Sequence, residues 1–123
     1  MCLAIAIGAG LGALLRFSLG MLLNSHFPTI PLGTLVANLA GGFLMGLFMA
    51  ITKNHSYTPD ILKLAIATGF LGGLTTFSTF SAETVTLLAN QEYLWMGLMI
   101  FAHVAGSISL TIIGIYTVKL FTT

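Results

Sequence analysis

Charged side chains are scarce in this chain of 123 residues, where they make up 6% of the sequence, against about a quarter of an ordinary soluble domain. The formal net charge is only +1, which excludes the basic surface that binds nucleic acid or acidic partners. Cysteine is nearly absent as well: Cys2 stands alone, so no disulfide can form within the chain. A soluble domain, a disulfide scaffold and a nucleic-acid-binding protein are therefore not expected.

Apolar residues dominate instead: 57% of the sequence is hydrophobic and the mean hydropathy is +1.04. They form four stretches of membrane-spanning length, for which a helix needs about 20 residues. The first stretch has no basic segment before it, so we expect it to remain as a helix rather than be cleaved as a signal peptide. The sequence predicts an all-α integral membrane protein, a single transmembrane domain over 1–123, with helices at about 3–23, 32–52, 60–89 and 93–119.

The third stretch is too long and too irregular for one straight helix. It exceeds by several residues the roughly 20 that a straight crossing needs, and it contains Gly72-Gly73 followed by Thr75-Thr76. Glycines and hydroxyl residues propagate a helix poorly, and unpaired backbone at membrane depth is tolerated only where it is buried in protein or lines a cavity. We therefore predict that this helix is broken near 72–76, at mid-membrane. The alternative is an unbroken helix whose small residues serve close packing.

Every span carries small residues four positions apart, which let helix backbones approach closely in lipid. These pairs are Gly8/Gly12, Gly42/Gly46, Gly69/Gly73 and Ala102/Gly106. Packing alone is a sufficient explanation, since glycine is common in membrane helices. Four closely packed helices are nevertheless too few to separate a polar pathway from lipid on every side. We therefore expect the functional unit to be a homo-oligomer.

Three strongly polar side chains lie inside the apolar pattern, where a charge costs about 3 kcal/mol at a helix centre on insertion scales. Arg16 could attract an anion into a vestibule, reach the interface, or pair with a carboxylate or a helix C-terminus, and anchoring is the favoured interpretation. Asn38 could lock a helix interface or offer its amide donors to an anion. Glu83 could pair with a donor on another helix or carry protons.

Two further patterns concern the third and fourth helices. Phe77 and Phe80 are three residues apart and share a face. Such residues usually meet lipid or core, but an electropositive ring edge can also replace the hydration of a small anion. His103, Ser107 and Thr111 recur every four residues in the fourth helix. This stripe is either a polar track through the membrane or a set of side chains whose hydroxyls bond their own helix.

Three motifs of the chain occur in a characteristic order and spacing. They are Gly12-Ala13-Leu14-Leu15-Arg16-Phe17, then Gly33-Thr34-Leu35 through Asn38 to Gly42-Phe43, and then Gly69-Phe70-Leu71-Gly72-Gly73 through Thr75-Thr76-Phe77-Ser78-Thr79-Phe80. Together they resemble the Fluc/CrcB family of microbial fluoride channels. The resemblance covers essentially the whole chain, and the motif in the third helix is the most specific.

The resemblance implies a passive, fluoride-selective channel of the inner (plasma) membrane that exports fluoride from the cytoplasm and so gives fluoride resistance. It implies a dual-topology homodimer, in which two antiparallel four-helix subunits form two pores. It also implies a structural sodium ion held by backbone carbonyls, which here are those of Gly72 and Thr75.

The site residues that the resemblance implies lie on the second, third and fourth helices. Asn38 meets the ion, Phe77 and Phe80 form the aromatic pair beside each pore, and the polar track consists of His103, Ser107 and Thr111. Further candidates for the pathway or its vestibule are Arg16, Thr79 and Glu83.

Other classes of function account for fewer of these sequence features. A proton-coupled exporter of the small four-helix, dimeric type is the alternative, because Glu83 supplies a membrane carboxylate although the first helix has none. A structural subunit would use the small-residue motifs for packing alone. We do not expect an enzyme, since His103 and Glu83 lie in separate helices and no nucleophile, phosphate loop or metal-ligand spacing accompanies them.

Overall fold

The structure, a computed structural model, describes residues 1–54 and 57–122. Within these residues the regular elements are helical, and four helices are long and apolar enough to cross a membrane. Their bounds are Cys2–Leu23, Leu32–Asn54, Asp60–Ala89 and Tyr93–Thr122, hereafter spans one to four. The prediction of an all-helical membrane protein with four spans is confirmed.

Span three is interrupted at its centre. Its first half (60–74) consists of the elements Asp60–Lys63, Leu64–Leu71, which is π-helical, and Gly72–Leu74, and its second half is Phe77–Ala89. Between the halves, Thr75 (φ −79°, ψ 155°) and Thr76 (φ −150°, ψ 118°) are extended. The predicted interruption is therefore confirmed, and it falls on the two threonines that follow the paired glycines.

Glycines allow the first half of span three to pack directly on span one. A Cβ on Gly12 would overlap the carbonyl oxygen of Phe70 and lie 2.7 Å from the amide nitrogen of Leu74. From the other side, a Cβ on Gly69 would lie 2.8 Å from the carbonyl oxygen of Ile5. The two backbones touch only because these positions lack side chains, as the small-residue spacing predicts.

Spans two and four form the second closely packed pair. A Cβ on Gly42 would lie 2.8 Å from the carbonyl oxygen of Ser107, and one on Gly46 would lie 3.1 Å from the Cα of Gly114. The second half of span three lies against span four. The break is therefore enclosed by span one behind it and by spans two and four beside it.

The apolar side chains divide between core and outer faces. Two buried clusters lie near the break, one around Leu71 and Leu74 and one around Phe80 and Met99. The outer faces carry large apolar side chains that are more than half exposed, as expected next to lipid, among them Leu3, Leu11, Leu94, Phe101 and Leu120.

Candidate functional site

A groove of about 440 Å³ lies at the break, between spans two and four and the two halves of span three. It brings together all the residues that were predicted for the pathway and the sodium site: Asn38, Gly72, Thr75, Phe77, Phe80, His103, Ser107 and Thr111. Sequence reasoning missed the apolar remainder of the wall, which includes Met45, Leu71, Val104 and Ile108. None of the described residues that line the groove carries a formal charge.

Asn38 holds the broken backbone of span three. Its Oδ1 accepts the backbone N–H of Thr76 at 2.7 Å, and its Nδ2 donates to the carbonyl oxygen of the same residue at 3.0 Å. These bonds fix the orientation of the amide, because its oxygen can only accept and its nitrogen can only donate. Asn38 thus replaces the acceptor that a continuous helix would give to the N–H of Thr76. The interface lock foreseen for Asn38 is present, and its contact with an ion stays a prediction.

His103 stands beside Asn38 in span four and is buried, with 4% of its surface exposed. Nδ2 of Asn38 lies 3.0 Å from Nδ1 of His103. Because the amide nitrogen can only donate, Nδ1 accepts, and the proton of the neutral imidazole lies on Nε2. The imidazole packs against the ring of Phe80, with centroids 4.5 Å apart and planes tilted by 31°. Nε2 is buried and has no hydrogen-bond partner within the described ranges 1–54 and 57–122.

Phe77 and Phe80 contact each other but have different surroundings. Their ring centroids are 5.6 Å apart, and the rings meet edge to face at 63°. Phe80 is 7% exposed, whereas Phe77 is 76% exposed. Phe80 is therefore part of the wall between groove and core, and Phe77 projects from the rim of the groove.

The break frees two backbone carbonyls from their helical donors. In a continuous α-helix the carbonyl of Gly72 would accept the N–H of Thr76, and that of Thr75 would accept the N–H of Thr79. Here the Thr76 N–H donates to Oδ1 of Asn38 at 2.7 Å, and the Thr79 N–H donates to Oγ1 of Thr76 at 3.1 Å. Oxygen ligands of this kind suit a hard cation. The described residues contain no group of three or more His, Cys, Asp or Glu that could hold a metal instead.

The polar stripe of span four lines the groove, and one of its hydroxyls also bonds its own helix, so both interpretations of its spacing apply. The hydroxyl of Thr111 donates to the carbonyl oxygens of Ser107 at 2.9 Å and Gly42 at 3.0 Å, so one proton is shared between its own helix and span two. Thr111 nevertheless lines the groove, together with Ser107 and His103. The stripe is therefore a continuous part of the groove wall, in which Thr111 also ties the two spans together.

Arg16 lines a second cavity, of about 430 Å³, with Thr34, Thr76 and Thr79 among its neighbours. Thr76 lines the groove as well, so the two cavities adjoin at the break. Oγ1 of Thr76 donates to Oγ1 of Thr79 at 2.9 Å. Two of the vestibule candidates, Arg16 and Thr79, thus share one cavity beside the break.

Glu83 lies apart from the groove, in a third cavity of about 390 Å³ that Asn90 and Glu92 also line. Its Oε1 accepts the hydroxyl of Thr34 at 2.6 Å, and its buried Oε2 has no partner in the part of the chain that the structure describes. The foreseen pairing of Glu83 with a donor on another helix is therefore present. Thr34 was not a candidate residue, because no local pattern connects positions that are 49 residues apart.

Comparison with known proteins connects this geometry to a family. Residues 3–115 match the family model described as CrcB-like protein, Camphor Resistance (CrcB). The chain belongs to the CrcB family. Similar proteins include three named fluoride-specific ion channel FluC. The one from Nitrosospira multiformis is 57% identical, over 94% of this CrcB chain and 91% of the relative. Those from Tolumonas auensis and Thiobacillus denitrificans are each 50% identical, over 96% and 95% of this chain and 93% and 94% of the relatives. The family resemblance of the sequence motifs is confirmed.

Proposed function

We propose that this CrcB chain is a fluoride-specific ion channel, through which fluoride leaves the cytoplasm passively, and that it thereby gives resistance to fluoride. The names of its relatives support the choice of ion. The observation that carries the proposal is the groove at the broken span, where hydrogen-bonding groups and aromatic rings line one path with no formally charged residue among those described. As a multi-pass membrane protein of this family, the chain is assigned to the plasma (inner) membrane.

The chemistry of the groove suits a small anion. Fluoride is strongly hydrated and a good hydrogen-bond acceptor, so a selective pore must replace its water with closely spaced donors. The wall offers the hydroxyl of Ser107, the imidazole of His103 and the ring edges of Phe77 and Phe80, with Asn38 beside them. A full positive charge in this position would hold the ion too tightly for it to leave. Hydrogen fluoride crosses membranes as a neutral acid and ionises inside, so a passive path for the anion suffices for export.

A second copy of the chain, in antiparallel orientation, completes the pore in this proposal. Phe77 is 76% exposed on the rim of a groove whose polar groups would otherwise meet hydrocarbon, and exposed polar groups are costly there. A copy related by two-fold symmetry would cover the groove with the same surface and produce two equivalent pathways. Opposite orientation of the two copies and insertion of the chain in both directions follow from the family resemblance.

A structural sodium ion at the centre of this dimer is also proposed. The carbonyls of Gly72 and Thr75 have lost their helical donors, and both residues line the groove. Two carbonyls are too few to surround a cation, whereas the same pair from each of two copies would double the number of oxygen ligands. Sodium would join the halves of the dimer and would not take part in the passage of fluoride.

A proton-coupled exporter of the small four-helix type is the second candidate. It is favoured by the Oε2 atom of Glu83, which is buried beside a cavity without a partner in the described part of the chain. In that case the movement of substrate would be tied to the movement of protons. A channel has no such requirement.

Efflux from liposomes that contain the purified protein tests the proposal. We expect fluoride to leave much faster than chloride, with no need for a proton gradient. Phe80→Ile should slow fluoride efflux by a factor of about five, because an aromatic contact is worth about 1 kcal/mol. Phe101→Ile changes an exposed phenylalanine outside the groove and should leave efflux unchanged.

Two results would contradict the proposal of a selective, passive fluoride channel. Equal efflux of fluoride and chloride would exclude selectivity. Fluoride efflux that occurs only with a proton gradient would favour the exporter.

A further inference from the structure

We propose that the end of the bundle where spans two and four finish binds the phosphate headgroup of an anionic phospholipid, and that Lys53 and Lys119 are its two cationic contacts. This goes beyond the proposed function, because it does not depend on which ion the groove conducts. The ligand is a molecule of the surrounding membrane, recognised by its charge as well as by its apolar chains.

The lysines of the chain gather at one end of the four spans. Because successive spans cross in opposite directions, spans two and four end on the side where span three begins. This end carries Lys53, Lys63 and Lys119 against Asp60, so three positive charges and one negative give a formal charge of +2. The two connections at the opposite end contain no lysine or arginine. A negatively charged headgroup is therefore favoured at the first end only.

Lys63 has an anionic partner within the chain. Its Nζ lies 3.2 Å from Oδ1 of Asp60, three positions earlier on the same helix, and both side chains are exposed. Two opposite charges this close present little net charge to a headgroup. The attraction at this end therefore comes mainly from Lys53 and Lys119, and Lys63 offers an internal control.

Lys53 and Lys119 lie at nearly the same level on two neighbouring helices. Spans two and four run in the same direction and touch where Gly46 meets Gly114. Lys53 follows Gly46 by seven residues and Lys119 follows Gly114 by five, so their levels differ by about 3 Å. The axes of helices packed this closely are about 8 Å apart. Because both lysines are exposed, one headgroup can contact both ammonium groups.

The surroundings of Lys119 match the headgroup layer of a membrane. Its Nζ lies 5.0 Å from the centre of the Tyr116 ring, one turn earlier in span four. Tyrosine is enriched at the level of the headgroups, and a lysine near the end of a span holds its ammonium there. The same face of the helix continues to Ile112, which is exposed, as is Tyr116. An acyl chain can therefore lie along Ile112 while its phosphate meets Lys119.

Native mass spectrometry of the purified protein in neutral detergent, titrated with phosphatidylglycerol or with phosphatidylcholine, tests the proposal. We expect phosphatidylglycerol to bind more tightly and added salt to reduce the difference. Lys53→Gln and Lys119→Gln should each weaken the binding of phosphatidylglycerol by about threefold to fivefold, as for one lysine charge at an anionic surface. The binding of phosphatidylcholine should not change. Free glycerol phosphate should not displace the lipid, because it has no acyl chains.

Lys63→Gln is the matched control, because it removes an exposed lysine from the same end whose charge Asp60 offsets. We expect it to weaken the binding of phosphatidylglycerol by less than about twofold. Equal losses in all three variants would show attraction by total charge and would overturn the proposed site, as would displacement by glycerol phosphate.

The unchanged protein alone also gives a decisive result. Equal binding of the two lipids would overturn the proposal even if a variant failed to fold. Lys53 and Lys119 do not line the groove, so fluoride efflux through their variants should remain selective. A failure of the lipid site would therefore leave the proposed function intact.

Discussion

Adding one methyl group at Gly12 tests whether the contact between span one and the first half of span three sets the position of the break. A Cβ there would overlap the carbonyl oxygen of Phe70 and lie 2.7 Å from the amide nitrogen of Leu74. Ordinary carbon–oxygen contacts are about 3.3 Å or longer, so the two backbones would have to separate by about 1 Å. Leu74 directly precedes the break and would move with them. Overpacking of this kind costs about 1–3 kcal/mol.

Gly10→Ala is the matched control for Gly12→Ala, because a Cβ at Gly10 meets nothing within 4 Å. Alanine is also the better helix former, by about 1 kcal/mol. In reversible unfolding in detergent, we expect Gly12→Ala to be less stable than the original by about 1–3 kcal/mol and Gly10→Ala to be at least as stable. Fluoride efflux should fall only in the first. Stabilities of the two variants within about 0.5 kcal/mol of each other, the range of an ordinary surface change, would refute the reasoning.

Two further predictions concern buried hydroxyl groups. Thr76→Val removes the Oγ1 that accepts the N–H of Thr79 at 3.1 Å, so we expect a loss of about 1 kcal/mol in the free energy of unfolding. Thr76→Ser should recover it, and an equal loss in both variants would exclude the capping role. Thr34→Val leaves Oε1 of Glu83 without its donor at 2.6 Å, and the same unfolding measurement should show a loss of about 1–3 kcal/mol. Thr34→Ser should stay close to the original, and an unchanged stability of Thr34→Val would mean that the bond contributes nothing.

The spans and the break could be predicted because they depend on local properties of the chain. A stretch of apolar residues is recognisable without knowledge of its neighbours, and Gly72-Gly73 before Thr75-Thr76 weakens a helix wherever it packs. The stripe His103, Ser107 and Thr111 is likewise a matter of spacing on one helix. That these side chains form one ion pathway was implied by the family resemblance and stays a prediction; the structure places them along one groove.

The contacts that cross the groove could not be predicted from the sequence. Asn38 forms hydrogen bonds to Thr76 and to His103, which are 38 and 65 positions away. The sequence around Asn38 fits a hydrogen bond between helices and a contact with an ion equally well. The π-helical stretch Leu64–Leu71 also has no local signal, because the same apolar run would suit an ordinary α-helix. Both features depend on how separate spans pack, which short patterns do not contain.

The two extended threonines have an electrical consequence as well. Each half of span three is a helix with its own dipole, partly negative at its carboxyl end and partly positive at its amino end. The negative end at Gly72–Leu74 and the positive end of Phe77–Ala89 are separated by only Thr75 and Thr76. The sign of the local potential therefore reverses across these two residues, in the middle of span three. Backbone groups alone, in a protein with a net charge of +1, therefore give the two sides of the break opposite partial charges.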